Sequence, residues 1–92
     1  MTEVVDVLVV TAPGCHFCED AIGVLGELAK VTPLSVRTVH LASEEGRRLV
    51  VRHRVPFPPI VLVDGEYFGY GRISRRKLEA HLGRVSNSGL EL

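Results

Sequence analysis

The 92 residues contain no tryptophan, one methionine, only two cysteines and 5% aromatic residues. Two cysteines are too few for the disulfide framework that holds small secreted scaffolds together, so the fold must rest on an apolar core. No apolar run approaches the roughly 18 residues a membrane-spanning helix needs, and the acidic residues Glu3 and Asp6 stand where a secretory leader would be basic. The expected setting is therefore the cytoplasm, without a membrane partner. Neither sign of charge prevails, with 11 basic and 11 acidic residues. The signs are nevertheless segregated: Met1 to Gly46 holds two basic residues against seven acids, and Arg47 to Leu92 holds nine against four.

What is present is ordinary globular material, 46% hydrophobic and 24% charged, at a length that suits one domain. Val4 to Thr11 is a nearly continuous β-branched run, which predicts a central strand covered on both faces. Pro13-Gly14 breaks it. Cys18, Ala21, Ile22, Leu25, Leu28 and Ala29 then recur at helical spacing, predicting a helix from near Cys15 to Lys30. Leu34 to Leu41 reads as a second strand. Ser43, followed by Glu44 and Glu45, caps a second helix that stops before Val55-Pro56. Ile60 to Val63 is a buried-strand run, and Asp64-Gly65 turns it into Glu66-Tyr67-Phe68. Ser74 caps a last helix, Ile73 and Leu78 staple its start, and Gly83 is placed to end it. The order βαβαββα implies an α/β layered fold with a four-stranded mixed sheet, a domain over 1–84 and a flexible tail over 85–92.

The chemistry is concentrated in Cys15-His16-Phe17-Cys18. At the start of a helix, free N–H groups and the positive end of the dipole favour a thiolate at Cys15. Cys18, one turn on and on the same side, can resolve a mixed disulfide formed there. A protonated His16 would add to the thiolate's stability, and Glu19 and Asp20 would oppose it. The sequence admits two other uses. C-x-x-C is also half of a zinc or copper site, but no second pair exists and His40, His53 and His81 lack the spacing to complete one. A redox-inert binding module is the other. The arginines and lysine of 47–54 and 72–77 read as solvated helix faces, and without interleaved aromatics they do not suggest a nucleic-acid partner.

T-A-P-G-C-H-F-C, P-P-I-V-L-V-D-G and G-Y-G-R together resemble glutaredoxin-like members of the thioredoxin superfamily. The resemblance implies a thioredoxin-like fold and thiol–disulfide exchange with protein or small-molecule disulfides, using a reductase or glutathione as electron donor, with no bound cofactor or metal. It implies Cys15 as nucleophile, Cys18 as resolving thiol, and substrate contacts from His16, Phe17, Pro58, Pro59 and Tyr70. It also implies a cis-proline facing the cysteines, assigned to Pro59 by the spacing to Asp64-Gly65, with Pro58 the alternative. Three departures stand out. Pro58 precedes Pro59 and has no N–H for a substrate backbone. Gly69-Tyr70-Gly71 is followed by Arg72 where glutathione binders carry an aspartate nearby. Val9 stands where thioredoxins bury an acid.

Overall fold

The computed structural model describes residues 4–88, with side chains through Val85. Its elements run β1 (Val5–Thr11), α1 (His16–Leu28), β2 (Leu34–His40), α2 (Glu44–His53), β3 (Ile60–Val63), β4 (Glu66–Tyr70) and α3 (Arg75–Ser88). The sheet order is β2-β1-β3-β4. β1 pairs parallel with β2, from Val5 opposite Leu34 to Thr11 opposite His40, and antiparallel with β3, Val9 opposite Val61. β3 and β4 form the terminal hairpin. The expected central strand and mixed sheet are both present.

Alternation on β1 divides the interior. Val5, Val7 and Val9 face one side, where they meet Leu25 and Leu28 of α1, Leu78 and Leu82 of α3, and Val61 and Val63 of β3. On the other side a smaller group, Val10, Val55, Ile60 and Leu62, is covered by the half-buried Leu49 and Val50 of α2. Burial of such side chains contributes about 1.5–3 kcal/mol each against the conformational entropy of folding.

The helix starts follow local chemistry. Ser43 Oγ accepts the Gly46 N–H at 3.0 Å, and Ser74 Oγ accepts the Lys77 N–H at 3.3 Å. Gly46 is buried where α2 crosses the end of β2: a Cβ there would run into the carbonyl oxygens of His40 and Leu41. The Asp64-Gly65 turn carries positive φ at both residues, 50° and 82°, as a tight hairpin requires.

Five details differ from the sequence expectation, the first being that α1 ends at Leu28 rather than Lys30. Ile22 and Ala29 lie exposed, and Val24 packs against the core instead. β4 extends to Tyr70, with a bulge: Val61 pairs with Gly69 but Leu62 pairs with Tyr67, leaving Phe68 as the extra residue. β2 ends at His40 rather than Leu41. The last helix continues through Gly83 to Ser88, so 85–88 of the expected tail is helical, while 89–92 lies outside the described residues. Among the described residues no helix is long and apolar enough to cross a membrane.

Candidate functional site

β1 ends at Thr11, and the Pro13-Gly14 turn delivers the chain to the first turn of α1. Cys15 is the N-cap of that helix, with extended backbone angles of −95° and 105°. Its sulfur accepts the backbone N–H of Cys18 at 3.1 Å, one of the amides a helix start leaves without a partner. The same donor would serve a thiolate. Cys15 and Cys18 are joined as a disulfide, their Cα atoms 5.2 Å apart. Cys15 is half-buried while Cys18 is only 2% exposed and belongs to the core face of α1. An external sulfur can therefore approach Cys15 and not Cys18.

The loop from Pro56 to Pro59 lies against the cysteines. Val55 and Ile60, both buried in the smaller apolar group, hold its two ends. The peptide bond between Pro58 and Pro59 is cis, so of the two prolines weighed from sequence Pro59 is the cis residue. Pro59 is fully buried, and the carbonyl oxygen of Pro58 stands 3.8 Å from Cys15 Sγ. In the reduced protein the Cys15 S–H could donate to that oxygen. Pro58 offers a substrate backbone an acceptor and no donor.

β4 closes the site from the third side. The Gly71 N–H donates to the Pro59 carbonyl at 2.9 Å, tying the strand's end to the proline loop. Gly71 is buried with φ of 68°, and a Cβ there would come within 2.8 Å of the Phe57 ring. Only glycine satisfies both the backbone and that ring. Phe57 is the residue that sequence reasoning missed as part of the rim. Its ring lies 5.4 Å from Tyr70, edge to face, and 6.5 Å from Phe17, tilted. The three rings are 40–48% exposed, so they form an apolar rim beside the Cys15–Pro58 contact. The signal available in the sequence was the pairing of Phe57 with the small residue Gly71, which becomes meaningful only once the chain is folded.

The structure thus brings together Cys15, Cys18, Phe17, Pro58, Pro59 and Tyr70. His16 is exposed on the first turn of α1, its side chain turned to solvent rather than into the site. Arg72 is exposed beyond the hairpin. Among the described residues no group of three or more histidines, cysteines or carboxylates is gathered, so the cysteine pair has no third metal-ligating neighbour there.

No protein-family model matches the sequence, and no curated protein matches it. Solved structures do match. An uncharacterised thioredoxin-like protein from Clostridium perfringens superposes with a TM-score of 0.67 at 12% identity, over 90% of this chain and 71% of that one. A thioredoxin from Thermus thermophilus gives 0.61 at 23% identity, over 92% and 75%. A variant thioredoxin from Halobacterium salinarum NRC-1 gives 0.59 at 22% identity, over 96% and 76%. The chain has the thioredoxin-like fold, with its cysteine pair at the junction of the first strand and first helix.

Proposed function

We propose that this chain is a thiol–disulfide oxidoreductase acting on protein or small-molecule disulfides, Cys15 being the nucleophile and Cys18 the resolving thiol. The observation that carries the reading is the position of Cys15: an N-cap sulfur, reachable from solvent, that accepts the Cys18 amide and faces the Pro58–Pro59 bond. The Cys15 thiolate attacks one sulfur of a substrate disulfide, forms a mixed disulfide and releases the other substrate sulfur as a thiolate, which takes a proton from water. The Cys18 thiolate then attacks Cys15 Sγ and releases the second substrate thiol. Two electrons have passed from the dithiol to the substrate, and the Cys15–Cys18 disulfide remains. A dithiol reductase, or glutathione as co-substrate, returns the electrons. A reducing compartment, the cytoplasm, suits that cycle.

Glutathione is the weaker of the two donors in this reading. Pro58 supplies no N–H to its backbone, and Arg72 follows Gly71 where an aspartate would hold its amine. Wild-type protein should reduce insulin disulfides with dithiothreitol as donor. Cys15→Ser should lose that activity, and Cys18→Ser should accumulate the mixed disulfide. A Cys15→Ser variant as fast as wild type would sink the proposal.

The absent donor at Pro58 also favours a second reading, a thioredoxin-fold binding module without turnover. A reversible two-electron midpoint for the Cys15–Cys18 couple in the biological range would count against it.

A further inference from the structure

Beside the aromatic rim, β4 and α3 enclose a groove of about 430 Å³ that the exchange chemistry does not use. Tyr70 stands at its near end and also touches Phe57, so the groove is continuous with the rim beside Cys15. Arg72, Lys77 and Arg84 line it, with Ile73 and Ala80 between them, and no carboxylate does. All three cations are exposed, and none makes an ion pair with a described residue, whereas Lys30, Arg37 and Arg48 elsewhere are each paired with a glutamate. Lys77 and Arg84 are seven residues apart on α3, two turns along one face, and Ala80 between them keeps the floor open.

We propose that this groove selects substrates: it receives an acidic polypeptide segment whose cysteine lies at Cys15 and whose apolar residue rests on Phe17, Phe57 and Tyr70. The inference rests on the exchange reading above and names the substrate class for that site. A polypeptide fits better than a free anion on three counts. Three cations without an ion pair among the described residues, Lys77 and Arg84 two turns apart on α3 and Arg72 ahead of it, match separated carboxylates rather than one compact charge. β4 is the outer strand of the sheet, and its outer edge, which no other described strand pairs, offers main-chain partners to an extended segment. The rings lie tilted and edge to face, at 36° and 71°, which suits an apolar side chain and gives no flat platform for stacked bases. The acidic residues belong several positions from the substrate cysteine, beyond the apolar residue that rests on Tyr70.

The test uses matched peptides bearing one cysteine as a mixed disulfide with thionitrobenzoate, a leucine beside it, and either glutamates or glutamines at those positions. Attack by Cys15 joins its sulfur to the peptide and releases thionitrobenzoate, which is read by absorbance; Cys18 then frees the peptide thiol. Cysteine-free versions of both peptides, fluorescently labelled, report docking to the oxidised protein by anisotropy. The glutamate peptide should dock and react about tenfold better at low salt, the sum of a few exposed charge pairs, and the advantage should shrink as salt rises. Lys77→Glu and Arg84→Glu should each cut it by about two- to threefold or more. Arg52→Glu makes the same change of charge on α2, outside the groove, and should leave the ratio in place. Equal handling of the two peptides, an advantage that survives both groove variants, or an oligonucleotide that docks more tightly than the glutamate peptide would overturn the proposal. If neither peptide releases thionitrobenzoate while anisotropy still separates them, the exchange reading fails and the groove assignment stands.

Discussion

The two faces of the sheet are packed to different depths. Under α1 and α3, nine of the described residues are buried in one continuous group, and it holds the helix that carries the cysteines. Under α2 only four of the described residues form such a group, and they hold the proline loop through Val55 and Ile60. The site is thus assembled where a thick layer meets a thin one. Cys18 belongs to the thick side, at 2% exposure, and the Pro58 carbonyl that faces Cys15 hangs from the thin side. The difference separates two tasks. The thick layer fixes the helix that carries the cysteine pair, while the thin layer presents the loop that lies against Cys15.

The largest loss is expected at Leu25, which is fully buried at the middle of α1. Leu25→Ala removes the γ-carbon and both δ-methyl groups from the thick layer, and such truncations cost about 2–5 kcal/mol. In a domain of this size that is a large share of total stability, so chemical denaturation should show a much lower midpoint. Leu49→Ala, from the half-buried cover of the thin layer, should cost clearly less. Equal losses at the two positions would mean that the layers are not different in the way their burial implies.

Much of this architecture is legible in the residues, for local reasons. Val4 to Thr11 could only be a covered strand, Asp64-Gly65 could hardly be other than a tight turn, and Ser43 with Glu44 and Glu45 announces its helix. Cys15 and Cys18 were legible as a pair because three-residue spacing at a helix start is itself local. What was not legible depends on pairing across the chain. The bulge at Phe68 exists because β4 must match β3, and nothing in Glu66 to Tyr70 reveals it. Gly83 does not stop α3, because Leu82 and the half-buried Val85 pack on the core from either side of it. Ile22 fits the helical stripe but lies at its margin, and Val24 takes the contact. Phe57 joins the site through Gly71, Tyr70 and Phe17, all distant in sequence. The basic residues that read as solvated faces are separated by folding into those of α2 and those beside β4.

A smaller effect is expected at Gly46, where the thin layer meets β2. Alanine is worth about 1 kcal/mol more than glycine in a helix interior, so propensity alone favours Gly46→Ala. Against this, the new Cβ would overlap backbone oxygens of His40 and Leu41, which cannot rotate away as a side chain can. Overpacking of that kind costs about 1–3 kcal/mol, so the net result should be a modest loss of stability. Because α2 leads into Val55 and the proline loop, insulin reduction should fall as well. A thermal melt shifted upward would show that α2 moves freely on the sheet and that the thin layer does not fix the loop.

The smallest effect lies at the outer edge of that same layer. Arg37 of β2 donates two hydrogen bonds to Glu45 of α2, at 3.1 and 3.0 Å. The hydrogen bonds from Arg37 come first among the causes that hold the Glu45 carboxyl below its ordinary range, ahead of the charges of Arg37 and Arg48, and partial burial opposes them. Both side chains are well exposed, so the pair is a weak link between α2 and β2 rather than a brace. A depressed folded-state pKa means that the unfolded chain takes up the proton first as pH falls. The contribution to stability is therefore complete above the ordinary carboxylate range and disappears as pH drops through the lowered folded value. Melts of wild type and Glu45→Gln should differ by a few degrees at most near neutral pH, converge on acidification, and converge also with added salt. A gap that widened toward acid pH would reverse the sign of this link and assign the docking of α2 to Ser43, Gly46 and the apolar cover alone.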